Sequence, residues 1–237
     1  MLLQDKVIII SGVGAGMGRR MAKLASAEGA KVGLASRNSA YIKSLAKEIK
    51  DLGGEAIACS TDITRSEDCY KLAKKVKERF GRIDGLVNSA YQHGDWATTD
   101  IADVDKWADT YNVNCIGALR MAQAVLPYMK SNSGGAIVNV STITTVNPFP
   151  GEASYAASKG GLNVLTKHMA KDFGRFGIRV NLCRMGWIGG APVYGYIDAQ
   201  VNNGRKRDDV INEMTDRIPL GIIPPEEDCA KAVLYFV

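Results

Sequence analysis

Short runs of consecutive apolar residues recur along this chain, separated by longer stretches with apolar positions at helical spacing. The first run, from Val7 to Ile10, is followed by a stripe made of Met21, Leu24 and Ala25. Continuous apolar runs are typical of strands buried on both faces, and such stripes are typical of amphipathic helices. The runs predict six strands, at residues 6–10, 31–35, 55–60, 85–88, 136–141 and 179–183.

The stretches between these runs predict helices at residues 19–28, 40–52, 66–80, 104–130 (with a break near Asp109) and 154–173. Glycines that we expect to end helices follow several of them, at Gly29, Gly53, Gly81 and Gly174. Strands that alternate with helices indicate crossover connections and a parallel sheet. The pattern therefore predicts one α/β domain over residues 1–237, a doubly wound parallel sheet with helices on both faces.

Residues 186–225 break this regular alternation. They are rich in Gly, Pro, Tyr and Asn, and they contain one predicted helix at residues 208–217. An insertion of this length after a late strand is usually functional. We expect a lid over a substrate pocket, and the name lid is used below for residues 186–225.

Composition excludes several classes of function. The net charge of +5 is modest, and the one tight basic cluster, at residues 205–207, is followed at once by Asp208 and Asp209, so we expect no nucleic-acid partner. No apolar run approaches the roughly 20 residues that cross a membrane. The five cysteines are scattered without metal-type pairing, so we expect no metal site and a cytoplasmic protein.

A glycine-rich turn lies between the first predicted strand and the first helix. It contains Gly12, Gly14, Gly16, Met17 and Gly18. Glycines at this place let the backbone approach a pyrophosphate, and the helix N-terminus supplies free N–H groups. In a parallel α/β chain this turn predicts a Rossmann-like nucleotide site.

The residues after the second strand bear on the choice of nucleotide. An acidic residue there would bind the ribose hydroxyls of NAD, whereas this chain has Arg37 between Ser36 and Asn38. A guanidinium suits a 2′-phosphate. We predict NADP(H) as the preferred cofactor and NAD(H) as the alternative, while a plain surface arginine is the other interpretation of Arg37.

Three residues in the second half of the chain carry candidate chemistry. Tyr155 and Lys159 lie four residues apart, which is one turn on the same face of the predicted helix, and Ser141 ends the fifth predicted strand. We expect the ammonium of Lys159 to lower the pKa of Tyr155 and to make the phenol a proton donor or acceptor. Ligands of open α/β sheets bind at the carboxyl ends of the strands, where Ser141 is expected.

With these motifs in order, the chain resembles the short-chain dehydrogenase/reductase family over nearly its whole length. The resemblance implies a catalytic set of Asn114, Ser141, Tyr155 and Lys159. It also implies a cofactor site, whose residues are Gly12, Gly14, Gly16, Met17, Gly18, Arg37, Asp62, Ile63, Asn88, Ala90, Tyr155, Lys159 and Ile188.

The chain departs from the family pattern in three places. Tyr91 stands where a glycine is usual, and the loop from Met185 to Gly190 lacks the usual Pro and Thr. Family members also continue past Val237 into a last strand. The sequence therefore predicts either a shortened sheet edge or a chain that is part of a longer one.

The mechanism that the resemblance implies is hydride transfer between a nicotinamide and a carbonyl carbon. Tyr155 donates the proton, Ser141 holds the carbonyl oxygen, Lys159 binds the nicotinamide ribose, and Asn114 positions a water molecule that connects Lys159 to solvent. We predict an oxidoreductase that interconverts a secondary alcohol and a ketone, and a homodimer or homotetramer formed through the helical stretches 104–130 and 154–173.

Aromatic residues on the loops and the lid suggest an apolar or cyclic substrate. They are Tyr91, Trp96, Phe149, Trp187, Tyr194 and Tyr196. His93 lies between Tyr91 and Trp96, and contact with substrate is one of its two interpretations; the other is a solvated loop residue. A 3-ketoacyl-thioester reductase and a non-catalytic NADP(H)-sensing protein are the alternative functions.

Overall fold

A six-stranded parallel sheet forms the centre of the computed structural model, which describes residues 1–237. The strands are β1 (Val7–Ser11), β2 (Lys31–Ser36), β3 (Glu55–Ser60), β4 (Gly85–Asn88), β5 (Gly135–Thr142) and β6 (Ile178–Met185). Their order across the sheet is β3-β2-β1-β4-β5-β6. This doubly wound, Rossmann-like arrangement confirms the predicted fold class.

Nine α-helices connect and cover the strands. They are α1 (Met17–Ala27), α2 (Ser39–Asp51), α3 (Ser66–Phe80), α4 (Val104–Tyr111), α5 (Gly117–Ser131), α6 (Ala153–Phe173), α7 (Ala191–Asn202), α8 (Arg207–Thr215) and α9 (Glu226–Tyr235). None of them is both long and apolar enough to cross a membrane.

Two apolar cores lie on opposite faces of the sheet. One core packs residues of α1, α2 and α9, such as Met21, Ile49 and Val233, against β1 and β2. The other packs residues of α3, α5 and α6, such as Leu72, Met121 and Met169, against the reverse face. Because both faces are covered, the strands consist of the near-continuous apolar runs from which they were predicted.

The strand-to-helix pattern was predicted closely, with differences of one or two residues at most element ends. Gly29, Gly53 and Gly81 follow helices with positive φ, as expected. Gly174 directly follows its helix, as expected, but it keeps a right-handed helical conformation and starts a short 3-10 turn. The left-handed residue there is Gly177, at φ +71°.

The predicted break in the helical stretch 104–130 is a π-helical turn. It spans Asn112–Ile116, between α4 and α5, a few residues later than expected. The wider turn includes Asn114, a candidate catalytic residue. Single π turns often occur at functional sites because they reposition one side chain without ending the helix.

The lid contains more regular structure than the sequence indicated. The helix predicted at residues 208–217 is present as α8, but α7 was not predicted, and neither was α9 after the lid. Val193, Ile197, Val210 and Met214 form a small core between α7 and α8, separate from the two cores of the sheet.

The sheet topology positions the candidate site. From β1 the chain adds β2 and β3 on one side of the sheet, and it then crosses back to add β4, β5 and β6 on the other side. Because the strand order reverses between β1 and β4, a crevice forms at the carboxyl ends of these two strands. The glycine turn, the loop after β4, the end of β5 and the start of α6 all lie at this edge of the sheet.

Candidate active site

One cavity of about 490 Å³ extends from the glycine turn to the lid. Gly12, Gly14, Gly16, Met17 and Gly18 line one end, and Tyr155 and Lys159 line its interior together with Ser141 and Thr142. The structure therefore brings the predicted nucleotide turn and the predicted proton donor into the same space.

The glycine turn has the shape that a pyrophosphate requires. Gly12 has φ +80°, and a Cβ there would lie 2.3 Å from the backbone nitrogen of Ala90. A Cβ on Gly14 would meet no atom within 4 Å, so the turn is open on the cavity side. Close backbone approach on one side and free space on the other fit a phosphate group at the N-terminus of α1.

The end of β2 carries the exposed Arg37, and no carboxylate is its hydrogen-bond partner. The pKa of Asp62 is lowered, mainly by hydrogen bonds from the hydroxyl and the backbone N–H of Thr64. The charge of Arg37 makes a smaller contribution in the same direction. Ile63, the next residue, is buried and packs against Gly117 at the start of α5.

Asn88 is part of a buried polar network beneath the site. Its amide nitrogen donates to Asn139 Oδ1 at 2.9 Å and to the backbone oxygen of Ala118 at 3.3 Å. The network ties the ends of β4 and β5 together. Ala90 follows on the loop, where it touches Gly12, and Ile188 lines the cavity from the lid.

Lys159 is buried, and its Nζ donates to the backbone oxygen of Val140 at 2.8 Å. Burial lowers the pKa of Lys159 to about 8, although the nearby Cys115 thiol opposes this shift. The ammonium lies 5.9 Å from the centre of the Tyr155 ring. The two residues thus share one face of α6, as their spacing predicted.

The expected effect of Lys159 on Tyr155 is not found in this structure. Burial raises the pKa of Tyr155 well above its usual value, with smaller contributions from Tyr91 and Glu152. The prediction of a lowered pKa was therefore wrong for this structure, because desolvation of the phenolate outweighs the other influences on the pKa. The Thr142 hydroxyl beside the phenol acts in the opposite direction and lowers the pKa of Tyr155.

Ser141 and Thr142 have different partners. The Ser141 hydroxyl donates to Asn163 Oδ1 at 2.6 Å, which uses its single proton. The Thr142 oxygen accepts from the backbone N–H and the hydroxyl of Thr144, both at 3.3 Å. Thr142 is also the hydroxyl beside the Tyr155 phenol, where it acts to lower the pKa of Tyr155.

Asn114 uses its side chain to fix the loop after β4. Its Oδ1 accepts from the backbone N–H of Gln92 at 2.7 Å, and its Nδ2 donates to the Gln92 carbonyl at 2.7 Å and to Ser158 Oγ at 2.9 Å. These bonds join the π turn, the loop and α6. The role of Asn114 in positioning a water molecule stays a prediction.

The same loop packs aromatic rings against Tyr155. The His93 ring stacks on Trp96, with 3.9 Å between ring centres, and on Tyr155, with 4.7 Å between ring centres. His93 Nε2 lies 3.7 Å from Glu152 Oε1, at the start of α6. The rings of Tyr91 and Tyr155 are 6.1 Å apart.

Most of the predicted aromatic wall lines the cavity. Tyr91, Trp96, Phe149, Trp187 and Tyr196 are present, and the rings of Trp187 and Tyr196 stack with centres 5.7 Å apart. Tyr194 does not line the cavity and is half exposed; its hydroxyl lies next to Gly189 instead. The prediction for Tyr194 was wrong because both tyrosines lie on helix α7, and residues two positions apart in a helix point in different directions.

Two polar residues beside Tyr155 were missed from the sequence. Thr142 directly follows Ser141, and order along the chain does not say which hydroxyl faces the cavity. Glu152 lies three residues before Tyr155, a spacing that places both on one side of a helix start. That spacing was the available signal.

Comparison with known proteins agrees with this geometry. A family model described as short chain dehydrogenase matches residues 6–203. An uncharacterized oxidoreductase from Thermotoga maritima is 33% identical over 99% of this chain and 91% of its own length. A 3-oxoacyl-[acyl-carrier-protein] reductase from the same organism is 32% identical with the same coverage of both chains.

Solved structures with this fold include dehydrogenases and ketoreductases. An NAD⁺-bound xylitol dehydrogenase superposes with a TM-score of 0.90 at 25% identity, covering 99% of this chain and 92% of its own. An actinorhodin polyketide ketoreductase variant with NADPH gives a TM-score of 0.89 at 26% identity, covering 100% and 91%. Both nicotinamide cofactors are therefore represented among structural relatives.

Proposed function

This chain belongs to the short-chain dehydrogenase/reductase family of NAD(P)-dependent alcohol and ketone oxidoreductases, and we propose that it uses NADP(H) to interconvert an apolar or cyclic ketone and its secondary alcohol. The observation that carries the proposal is the cavity in which the glycine turn, Thr142, Tyr155 and Lys159 meet.

The glycine turn would hold the pyrophosphate, and Arg37 would hold the 2′-phosphate of the adenosine ribose. Arg37 is exposed at the end of β2, and no acidic side chain takes up its charge by a hydrogen bond. The fork of a guanidinium matches phosphate oxygens. When bound, the nicotinamide cofactor supplies or accepts the hydride.

Tyr155 is the residue that moves the proton. Its raised pKa keeps the phenol protonated at neutral pH, so it is suited to donate a proton to a carbonyl oxygen. The family role of Lys159 is to bind the nicotinamide ribose. With a pKa of about 8 it is largely charged at pH 7.

Thr142 is the hydroxyl that we assign to the carbonyl oxygen. It lies beside the Tyr155 phenol and lines the cavity, whereas the Ser141 hydroxyl donates to Asn163. Ser141, predicted as catalytic, becomes a positioning residue in this proposal, since Asn163 in turn donates to Thr145 Oγ1 at 3.1 Å.

The aromatic residues around the cavity support an apolar or cyclic substrate. Trp96, Phe149, Trp187 and Tyr196 offer flat apolar surfaces close to the polar groups that would orient a carbonyl.

We also propose that the chain forms a homodimer or homotetramer in the cytoplasm. Val104, Tyr111 and Val164 on α4 and α6 are exposed apolar residues at the helices expected to form the interface. All five cysteines are unpaired, as is usual in a reducing compartment.

A 3-ketoacyl-thioester reductase is a second candidate, favoured by the Thermotoga maritima acyl-carrier-protein reductase among the relatives. The two candidates differ in the body of the substrate and not in the chemistry at Tyr155. Comparing acetoacetyl thioesters with cyclic ketones as substrates separates them.

The test of the proposed function is a panel of ketones and alcohols assayed with both cofactors. We expect NADPH-dependent reduction of cyclic ketones, and Arg37→Asp should weaken NADPH binding far more than NADH binding. Arg175→Asp is the matched control, because Arg175 is exposed before β6, at the opposite edge of the sheet. Reduction with NADH alone, or equal losses in both arginine variants, would contradict the cofactor assignment.

A further inference from the structure

Glu152 is a buried carboxylate that lies beside the proposed proton donor Tyr155 and makes no hydrogen bond through its side chain. Its exposed fraction is 8%, and it lines the cavity next to Tyr155. Its Oε2 atom has no hydrogen-bond partner. Its Oε1 atom has only His93 Nε2 nearby, at 3.7 Å, which is longer than a hydrogen bond.

The structure gives this side chain no role in holding α6. Glu152 precedes the helix, but its side chain makes no capping hydrogen bond. The contact that stabilises the first turn comes from its backbone oxygen, which accepts from Ala156 N at 2.8 Å. A smaller residue could provide the same backbone contact without the cost of burying a carboxylate.

The ring of His93 lies next to the Glu152 carboxylate and also stacks on Tyr155. Its ring lies between those of Trp96 and Tyr155, and its Nδ1 is a second buried polar atom without a partner. The loop is held by Asn114, which binds the Gln92 backbone, and by Gly94, where a Cβ would lie 2.4 Å from Ser154 Oγ. The unpartnered Glu152 oxygen therefore has a fixed place relative to the phenol.

An ionised carboxylate accepts hydrogen bonds and donates none. A ligand group opposite Glu152 must therefore carry a donor proton, and a carboxylate or phosphate would be repelled. Since Trp96, Phe149, Trp187 and Tyr196 also line the cavity, the ligand would combine an apolar body with one polar group on the Glu152 side.

We propose that Glu152, held beside His93, is a specificity-determining residue that accepts a hydrogen bond from a hydroxyl group of the substrate. The substrate is then a cyclic ketone that carries a hydroxyl group in addition to its carbonyl. This inference rests on the proposed function, because it requires the carbonyl to be placed at Tyr155 and Thr142.

The test compares three kinds of ketone on the holoenzyme with NADPH. They are cyclohexanone, its monohydroxylated derivatives, and the methyl ethers of those derivatives, which fill similar space without a donor proton. We expect kcat/KM for at least one hydroxylated ketone to exceed that for its methyl ether by about tenfold or more, because a site built around a hydroxyl leaves a buried acceptor unpaired with the analogue.

Variants of Glu152 assign this preference to the carboxylate. Glu152→Ala should reduce the ratio of hydroxylated to methylated substrate to near one. Glu152→Gln, which keeps one acceptor oxygen, should retain part of it. The control Glu67→Gln removes a charge from an exposed position at the start of α3 and should leave the ratio as in the wild type. NADPH binding, measured by fluorescence, checks that each variant is folded.

The outcomes distinguish this inference from the proposed function. If the wild type reduces no ketone of the panel, the proposed function fails, and the inference fails with it. If the wild type reduces the ketones without preferring a hydroxylated one, or if Glu152→Ala retains the preference, only the role of Glu152 is wrong. A preference that Glu152→Ala abolishes and Glu152→Gln partly keeps supports it.

Discussion

Two walls of the same cavity are held in different ways. The catalytic wall, meaning Thr142, Tyr155 and Lys159, is attached to β5 and α6, and its polar groups bond to Val140, Thr144 and one another. The lid closes the other side with Trp187 and Tyr196, and its helices α7 and α8 pack mainly on their own four-residue core. In the proposed function the chemistry is thus carried by residues of β5 and α6, while substrate contact depends on a separately packed segment.

This difference predicts that changes in the catalytic wall alter turnover and that changes in the lid alter substrate binding.

Tyr155→Phe removes the proton donor and keeps the ring that stacks on His93. We expect kcat for ketone reduction to fall about 10²- to 10⁴-fold, the usual contribution of general acid catalysis. NADPH binding should persist, as measured by fluorescence titration. Unchanged turnover would show that Tyr155 is not the proton donor.

Thr142 and Ser141 can be separated directly. Thr142→Val removes the hydroxyl that bonds to Tyr155, and kcat should fall by about 10²-fold or more, as when one donor to a developing oxyanion is lost. Thr142→Ser keeps a hydroxyl and should recover most of the activity.

Ser141→Ala loses only the bond to Asn163, and we expect a loss of less than about tenfold, which reflects a positioning role. Steady-state kinetics on all three variants measures the order of effects. A larger loss in Ser141→Ala than in Thr142→Val would restore Ser141 as the catalytic hydroxyl.

The raised pKa of Tyr155 gives the two directions of the reaction different pH profiles. Alcohol oxidation needs the phenolate, whose fraction rises about tenfold per pH unit below the pKa, so its rate should climb from pH 7 to 9. Ketone reduction uses the protonated phenol and should not gain over this range. Loss of the Lys159 charge above about pH 8 weakens both directions, so it slows reduction and makes the rise of oxidation less steep. Initial rates in both directions provide the test.

A plateau of the oxidation rate near pH 7 would contradict this expectation. It would mean that Tyr155 has a low pKa in the holoenzyme, as the position of Lys159 in the sequence first suggested.

Two tyrosines of α7 test the lid. Tyr196→Ala removes an aromatic face from the cavity wall, and KM for a bulky ketone should rise by up to about tenfold with little change in kcat. Tyr194→Ala is the matched control, since Tyr194 lies on the same helix but outside the cavity, and KM should stay within about twofold. Equal effects of both variants would indicate loss of lid structure and not of a substrate contact.

The sequence predicted the sheet well and the lid poorly, for a physical reason. Strands of a doubly covered parallel sheet are continuous apolar runs, so β1 to β6 stand out. Helix α7 contains Pro192 and Gly195, which usually break helices, and Pro192 is tolerated only because it lies in the first turn. The stripe that packs α7 on α8 is only two residues on each helix.

The sequence predicted which segments meet at the site, but it did not distinguish between neighbouring residues within a segment. Motif order predicted Tyr155 and Lys159, and both line the cavity, but choosing between the adjacent hydroxyls of Ser141 and Thr142 requires knowing that Ser141 donates to Asn163. His93 lies on a loop and Glu152 lies 59 residues later at the start of a helix. Nothing in the sequence around either residue indicates that the two are neighbours in space. Long-range contacts of this kind depend on tertiary structure.

The most direct test of the central claim follows the transferred hydrogen. The wild type is incubated with a cyclic ketone and NADPH deuterated at the hydride-donating carbon, in separate experiments for each face, and the product is analysed by mass spectrometry. We expect deuterium on the carbinol carbon of the alcohol from one face only, and little labelled product with Tyr155→Phe. Oxidation of NADPH with no deuterium in the alcohol from either face, or equal labelling by Tyr155→Phe, would contradict the proposed hydride transfer.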